Sequence, residues 1–126
     1  MYNILICDDE KDIVSALKIY LKTSGYNIYE AYNGKEALEQ IKEHDIHLVL
    51  MDIMMPELDG KEASRKIRSM ADQREDAAEI PILAMTAQAS TESIHQCKSA
   101  GMNECIFKPV NAKELIRLLQ DIVAKI

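Results

Sequence analysis

Five polar side chains share one kind of position, directly after a short apolar run: Asp8, Asp9, Asp52, Thr86 and Lys108. Such runs, short and rich in aliphatic residues, are typical of buried strands in a parallel sheet. Because ligand sites in open α/β sheets lie at the carboxyl ends of the strands, we expect these side chains to meet in one crevice. Each residue alone also fits a purely structural role, such as a helix cap or a surface charge, but their agreement at four strand ends favours a site.

The chemistry that these residue types could perform involves a cation and a phosphoryl group. Three carboxylates in one crevice repel one another unless a cation lies among them. Oxygen ligands and a high negative charge favour Mg²⁺, or Mn²⁺ in its place. A nearby lysine and a hydroxyl supply the positive charge and the donor that a phosphoryl group needs. The residues therefore predict a magnesium-dependent phosphoryl site.

The segments that would position these side chains alternate between strand and helix five times. Apolar runs predict strands at 3–7, 27–31, 48–52, 82–85 and 104–107. Residues that commonly cap helices stand between them, at Asn33, Asp59, Ser90 or Thr91, and Asn111. The alternation predicts an α/β fold: a doubly wound, flavodoxin-like, five-stranded parallel sheet in the order 2-1-3-4-5, with helices on both faces. We expect one domain over residues 1–126.

Apolar residues at helical spacing predict the buried face of each helix. In the first helix, which Gly25 ends, they are Ile13, Ala16, Leu17, Tyr20 and Leu21. In the middle helices they are Ala37, Leu38, Ile41, Ala63, Ile67, Met70, Ile94 and Cys97. In the last helix they are Leu115, Leu118, Leu119, Ile122 and Ile126. Residues 71–79 are polar, charged and without periodicity, which predicts an exposed loop.

The composition limits the classes of function. The net charge of −6 argues against a basic surface for nucleic acid or anionic lipid. Aromatic residues make up 5% of the chain, too few for a base-stacking platform. The three cysteines match neither disulfide nor zinc spacing and indicate a reducing compartment. Because we find neither a membrane-spanning run nor a signal peptide, we expect a cytoplasmic protein that binds neither a membrane nor nucleic acid directly.

The whole sequence resembles the receiver domain of bacterial two-component response regulators. The resemblance is carried, in family order, by Asp8-Asp9 after the first strand, the stretch Met51–Gly60, Thr86-Ala87 after the fourth strand, and Lys108-Pro109. A lone Asp-Asp pair is a weak signal. The four motifs together are specific.

The resemblance implies a switch in which Asp52 accepts a phosphoryl group from a sensor histidine kinase or a histidine phosphotransfer protein, with Mg²⁺ as cofactor. It implies that Asp9 and Asp52 ligate the ion directly and that Asp8 acts through water. The backbone carbonyl of Met54 would add a further ligand. Family members are signalling switches, so we do not expect an enzyme that acts on a separate substrate.

The resemblance also assigns roles at the ends of the fourth and fifth strands. Lys108 is expected to pair with the phosphoryl oxygens, and the Lys108–Pro109 peptide bond is expected to be cis. Thr86 is expected to hydrogen-bond the phosphoryl group, so that the surface of the fourth helix and fifth strand repacks towards an output partner that the sequence does not identify.

Three positions depart from, or vary within, the family pattern. The family usually has Tyr or Phe three residues before the lysine, where this chain has Cys105, so the switch is expected to lack a ring that swings inward. Met54 and Gln88 occupy the positions that flank the hydrolytic water, and an apolar Met54 predicts slow self-dephosphorylation. Residues 80–110 resemble receivers of hybrid sensor kinases, whereas the first half resembles receivers of transcription factors.

Three other functions share some of these sequence features. A haloacid-dehalogenase-like phosphohydrolase also uses a strand-end Asp with Mg²⁺, but needs an acid two residues later, where this chain has Met54. A flavodoxin-like flavin module needs a hydroxyl- and glycine-rich phosphate loop after the first strand, where this chain has Asp8, Asp9 and Glu10, which would repel phosphate without a metal. A non-phosphorylated docking pseudo-receiver is disfavoured by the complete acidic set.

Overall fold

The computed structural model describes residues 2–55, 59–70, 80–87 and 90–124. The predicted loop at 71–79, Gln88 and Ile126 lie outside these residues. Strands and helices alternate along the described chain as β1 Asn3–Cys7, α1 Lys11–Thr23, β2 Asn27–Ala31, α2 Gly34–Glu43, β3 Leu48–Asp52, α3 Gly60–Ser69, β4 Ile82–Thr86, α4 Thr91–Ser99, β5 Glu104–Phe107 and α5 Ala112–Val123.

The strands form one parallel sheet in the order β2-β1-β3-β4-β5, which confirms the predicted fold class and strand order. The register aligns the ends of the strands. Cys7 lies opposite Met51, and Thr86 lies opposite Phe107. Residues that follow β1, β3, β4 and β5 are therefore brought to one edge of the sheet.

Two apolar clusters lie on opposite faces of the sheet, because successive side chains of a strand point to opposite sides. One cluster joins Leu5 and Met51 to residues of α2, α3 and α4. The other joins Ile6 and Leu50 to residues of α1 and α5. The helices thus cover both faces, as predicted. None of the helices among the described residues is sufficiently long and apolar to cross a membrane.

Helix α1 is rotated relative to the sequence prediction. Its buried residues are Val14, Leu17 and Leu21, whereas the predicted inward residues Ala16 and Tyr20 are exposed, Tyr20 at 46%. With 3.6 residues per turn, Ala16 and Tyr20 lie roughly a quarter of a turn or more from the centre of the buried stripe. The prediction for these two residues was wrong because Ala and Tyr are tolerated on either side of such a stripe.

The other helices bury the predicted faces. Fully buried members are Ala37, Ile41, Ala63, Ile67, Met70, Cys97, Leu115 and Leu119. Half-buried members are Leu38, Ile94, Leu118 and Ile122. The predicted caps accept backbone N–H groups, with Ser90 rather than Thr91 capping α4. Gly25 follows α1 with φ of +92°, which L-residues with a side chain rarely adopt.

Candidate functional site

The carboxyl edge of the sheet brings together all five side chains that the sequence selects. Asp8 follows β1 and is fully buried, and Asp52 ends β3 with 4% exposure. Thr86 ends β4 and is also buried. Lys108 follows β5, and its backbone N–H donates to the carbonyl of Thr86 at 2.8 Å. Asp9 lies at the exposed rim.

Three carboxylates form a compact cluster at this edge. One oxygen from each of Asp8, Asp9 and Asp52 can be chosen so that all lie within 4.8 Å of one another. Two of these carboxylates are buried, so solvent screens their mutual repulsion poorly. The donor set consists of carboxylate oxygens, which are the ligands that Mg²⁺ and Mn²⁺ prefer. The residues present therefore fit a hard divalent cation.

The ammonium group of Lys108 lies between two of these carboxylates. Its Nζ donates to Oδ2 of Asp8 at 3.0 Å and contacts Oδ1 of Asp52 at 3.1 Å. Burial alone would lower the pKa of Lys108, but the two carboxylates outweigh it and raise this pKa above its ordinary value. The Lys108–Pro109 peptide bond is cis, as the resemblance implied.

The second oxygen of Asp8 is held by the backbone. Oδ1 of Asp8 accepts the N–H of Glu10 at 3.0 Å, and the N–H of Asp8 donates to the carbonyl of Ala31 at 3.1 Å. Both contacts fix the turn that leads from β1 into α1. Asp8 is therefore rigidly placed, while its Oδ2 faces Lys108.

Asp52 is held in an environment that opposes its charge. Burial, followed by the negative charge of Asp8, raises the pKa of Asp52 from 3.8 to about 6, against the opposing effect of Lys108. The cluster also places one lysine against three carboxylates. A divalent cation is the natural complement of such a cluster.

Gly60 allows the backbone that follows Asp52 to close tightly under α3. Its N–H donates to the carbonyl of Ile53 at 3.0 Å. A Cβ at Gly60 would lie 2.1 Å from the backbone oxygen of Asp52, well inside any tolerated contact. The sequence marks Gly60 only as the last residue of the stretch Met51–Gly60, whereas the structure shows a steric requirement for glycine there.

Met54 lies two residues after Asp52, and Cys105 lies three residues before Lys108. Met54 is 81% exposed. Cys105 is half-buried on β5 and packs against the apolar cluster under α2, α3 and α4, and burial raises the pKa of its thiol to about 12. With Phe107 and Leu118 it lines a surface cavity of about 180 Å³, and Phe107 remains 40% exposed. The thiol is therefore a small, protonated side chain where the family usually has a ring.

The family model of the response regulator receiver domain matches residues 4–120. The chain belongs to this family. Receiver domains are signalling switches of two-component phosphorelay systems, and the resemblance drawn from the sequence is confirmed.

Solved receiver domains have the same fold. The chemotaxis protein CheY4 of Vibrio cholerae is 27% identical, with a TM-score of 0.88, and the match covers 96% of this chain and 98% of that one. The receiver domain of the sensor histidine kinase PA1611 of Pseudomonas aeruginosa, with a magnesium ion coordinated in its active site cleft, is 32% identical, with a TM-score of 0.84 and 95% coverage of each chain.

A third solved structure shows a receiver domain with a partner. It is the receiver domain of the response regulator Ssk1 of Saccharomyces cerevisiae, in a complex with the histidine phosphotransfer protein Ypd1. It is 31% identical to this receiver domain, with a TM-score of 0.83, and the match covers 90% of this chain and 83% of that one.

Proposed function

We propose that this receiver domain is a phosphorylation-activated switch whose acceptor is Asp52, within a single domain spanning residues 1–126. The observation that carries the proposal is the position of Lys108, whose Nζ lies 3.0 Å from Asp8 and 3.1 Å from Asp52. A buried carboxylate beside a fixed positive charge combines a nucleophile with the group that would bind the incoming phosphoryl oxygens.

The proposed reaction transfers a phosphoryl group from a phosphohistidine to Asp52. A carboxylate oxygen of Asp52 forms the new bond to phosphorus while the P–N bond breaks on the opposite side. The bonding pair stays with the ring nitrogen, and a ring already protonated at its other nitrogen leaves as neutral imidazole. The products are an acyl phosphate on Asp52 and an unmodified donor histidine.

Asp8, Asp9, Asp52 and the backbone carbonyl of Met54 are the groups that would hold Mg²⁺, or Mn²⁺ in its place, with Asp8 acting through water. When bound, the cation offsets negative charge on the phosphoryl oxygens. Lys108 supplies a second positive charge from the end of β5, where the backbone hydrogen bond to Thr86 fixes it. The cation and Lys108 would thus both offset the negative charge of the phosphoryl group at the carboxyl edge.

Thr86 and Cys105 are the residues through which we expect the phosphoryl group to be sensed. Thr86 ends β4 beside Lys108, and its hydroxyl would donate to a phosphoryl oxygen. Cys105 has no ring that could move when Thr86 moves. We therefore expect output to depend on displacement of the β4–α4 connection and α4 rather than on a buried ring.

The proposed donors are a sensor histidine kinase or a histidine phosphotransfer protein, since Ssk1 is bound to such a protein. The protein would act as a switch and not as an enzyme on a separate substrate, with no direct binding of nucleic acid or membrane. Its free cysteines, Cys7, Cys97 and Cys105, suit the reducing cytoplasm.

Labelling with a small acyl phosphate tests the proposal. Intact-mass spectrometry should find one added phosphoryl group in the wild type with Mg²⁺ and none with a chelator. Asp52→Asn should abolish the addition. Asp59→Asn is the matched control, since Asp59 caps α3 and asparagine caps equally well, so it should label normally. Undiminished labelling of Asp52→Asn would contradict the acceptor assignment, and an unlabelled wild type would favour a docking pseudo-receiver.

A further inference from the structure

Helix α4 is packed very unevenly along its length. Its first six residues, 91–96, are exposed or half-buried, and the predicted inward residue Ile94 is among the half-buried ones. Burial begins at Cys97 and continues after the helix at Ala100 and Met102. The hydrophobic contribution to holding α4 in place is therefore concentrated at its C-terminal end.

Polar contacts from α3 reinforce the same end more strongly than the other, where α3 makes an exposed hydrogen bond from Nζ of Lys61 to Oε1 of Gln96 at 3.3 Å. Ser64 is fully buried, and its hydroxyl donates to the carbonyl of Ala100 at 2.8 Å. Arg68 donates to the carbonyl of Gly101 from both Nε, at 3.0 Å, and Nη2, at 2.7 Å. Its Nη1 donates to the carbonyl of Ile80 at 2.6 Å, just before β4. We call the contacts of Ser64 and Arg68 with Ala100 and Gly101 the α3–α4 clamp.

Asn103 connects the clamp to the sheet. Its Oδ1 accepts from Nη2 of Arg68 at 2.8 Å and from the backbone N–H of Ile82 at 2.9 Å. Its own N–H donates to the carbonyl of Ile82 at 2.8 Å. One guanidinium group therefore links α3, the turn after α4 and the start of β4, which its rigid fork of donors makes possible.

The turn after α4 is also fitted sterically to the clamp. Gly101 has φ of +90°, and a Cβ there would lie 3.0 Å from Cγ of Arg68. The turn therefore packs directly on the side chain that binds it. Charge-assisted hydrogen bonds of this kind are stronger than neutral ones, and they are half-buried.

We propose that the α3–α4 clamp makes the C-terminal end of α4 a fixed pivot, with Arg68 as its positioning residue. Displacement of α4 is then greatest at its N-terminal end, next to β4, and residues 100–103 stay in place. This inference rests on the proposed function. The pivot limits the surface that phosphorylation changes to residues 90–96, and residues 100–103, at the edge of the sheet where the strands begin, are not part of that surface.

Amide hydrogen exchange of the unmodified protein tests the pivot without any phosphorylation. The amides of Ala100, Gly101 and Asn103 all donate to backbone carbonyls, as does that of Ile94. We expect Ile94 to exchange at least about tenfold faster than Ala100 and Asn103, because local opening of the weakly packed end needs less free energy. Equal exchange rates along α4 would overturn the proposal.

Variants of α3 identify the cause. Arg68→Gln should raise exchange at residues 100–103 to the rate of Ile94, and Arg68→Lys should restore only part of the protection because lysine lacks the fork. Arg65→Gln on the exposed side of α3 is the matched control and should change nothing. Unchanged protection of residues 100–103 in Arg68→Gln would overturn the role of Arg68.

The last arm adds acetyl phosphate and Mg²⁺ to the wild type, with mass spectrometry reporting the modification. Exchange should change at residues 90–96 and stay the same at 100–103. In Arg68→Gln the change should spread to 100–103. Equal changes at both ends of α4 in the wild type would contradict the pivot. Failure of the phosphoryl group to add would count against the proposed function instead, while exchange in the unmodified protein still decides the pivot.

Discussion

The edge of the sheet where the strands end, the carboxyl edge, and the edge where they begin, the amino edge, differ in how their polar groups are paired. At the carboxyl edge, three carboxylates lie within one small cluster beside Lys108. At the amino edge, donors meet acceptors: the N–H of Asn3 donates to Nδ1 of His47 at 2.9 Å, and Arg68 donates to the carbonyls of Gly101 and Ile80. The carboxyl edge therefore brings like charges together, whereas these donors at the amino edge are paired with hydrogen-bond acceptors.

This difference in pairing indicates which edge of the sheet raises the free energy of unfolding of this receiver domain and which edge lowers it. Like charges in a buried cluster oppose folding, and such arrangements are expected at sites that serve a function. Hydrogen bonds at the amino edge and the two apolar clusters must offset that opposition. We therefore expect charge removal to stabilise the carboxyl edge and to destabilise the amino edge. The free energy of unfolding measures this contrast.

The largest change in the free energy of unfolding should come from Gly60→Ala, which tests a steric rather than an electrostatic contact at the carboxyl edge. The new Cβ would meet the backbone of Asp52, which cannot move aside, so we expect a loss on the order of 3 kcal/mol. Chemical denaturation measures it. Gly25→Ala is the control, because it has open space and strains only φ, with a loss of about 1 kcal/mol. Equal losses would contradict the steric account.

Arg68→Gln should have the next largest effect, at the amino edge. It removes hydrogen bonds from half-buried carbonyls, and we expect a loss of about 2 kcal/mol in the free energy of unfolding. Urea denaturation of Arg65→Gln, a change at an exposed position of the same helix, should differ from the wild type by less than about 0.5 kcal/mol. If both variants lose the same amount, the amino edge does not carry the stability assigned to it.

Asp9→Asn should have a smaller effect of the opposite sign. In metal-free buffer it relieves repulsion at the rim of the carboxylate cluster, and we expect a gain of about 0.5 kcal/mol, since exposed charges are well screened. Asp12→Asn is the matched control in the first turn of α1, where a negative charge is favourable, so it should lose a few tenths of a kcal/mol, roughly. A loss of stability in both variants would remove the contrast between the edges.

Met54→Asn should have the smallest effect on stability. The side chain is 81% exposed, so the free energy of unfolding should change by less than about 0.5 kcal/mol. The same variant should speed self-dephosphorylation, because asparagine can orient a water and methionine cannot. Loss of label after removal of the phosphodonor measures it, with Met54→Leu as the apolar control. Decay that is unchanged or slower in Met54→Asn would show that this position does not limit hydrolysis.

The residues of the carboxyl edge could be predicted from the sequence. Asp8, Asp52 and Lys108 could be selected because each follows its own apolar run, and the parallel sheet then places strand ends together. The caps at Asn33 and Asp59 are equally local patterns. These parts of the fold and site follow from short segments read one at a time.

The remaining features depend on contacts between distant segments. Arg68 donates to the carbonyl of Gly101, 33 residues away, and the sequence around neither residue has a local pattern that predicts this contact. The steric role of Gly60 depends on how closely α3 approaches β3. The rotation of α1 was missed because Tyr20 suits both a buried and an exposed position, and packing against the sheet decides between them.

Chemical denaturation of the wild type and Asp9→Asn across a series of Mg²⁺ concentrations, at constant ionic strength, tests the central claim most directly. A cation that binds only the folded wild type should stabilise it by about 2.7 kcal/mol at a hundred times its Kd. The variant should start higher without Mg²⁺ and gain much less, so that the two curves cross. Parallel curves, or a wild type that does not respond to Mg²⁺, would contradict a carboxyl edge built to hold a divalent cation.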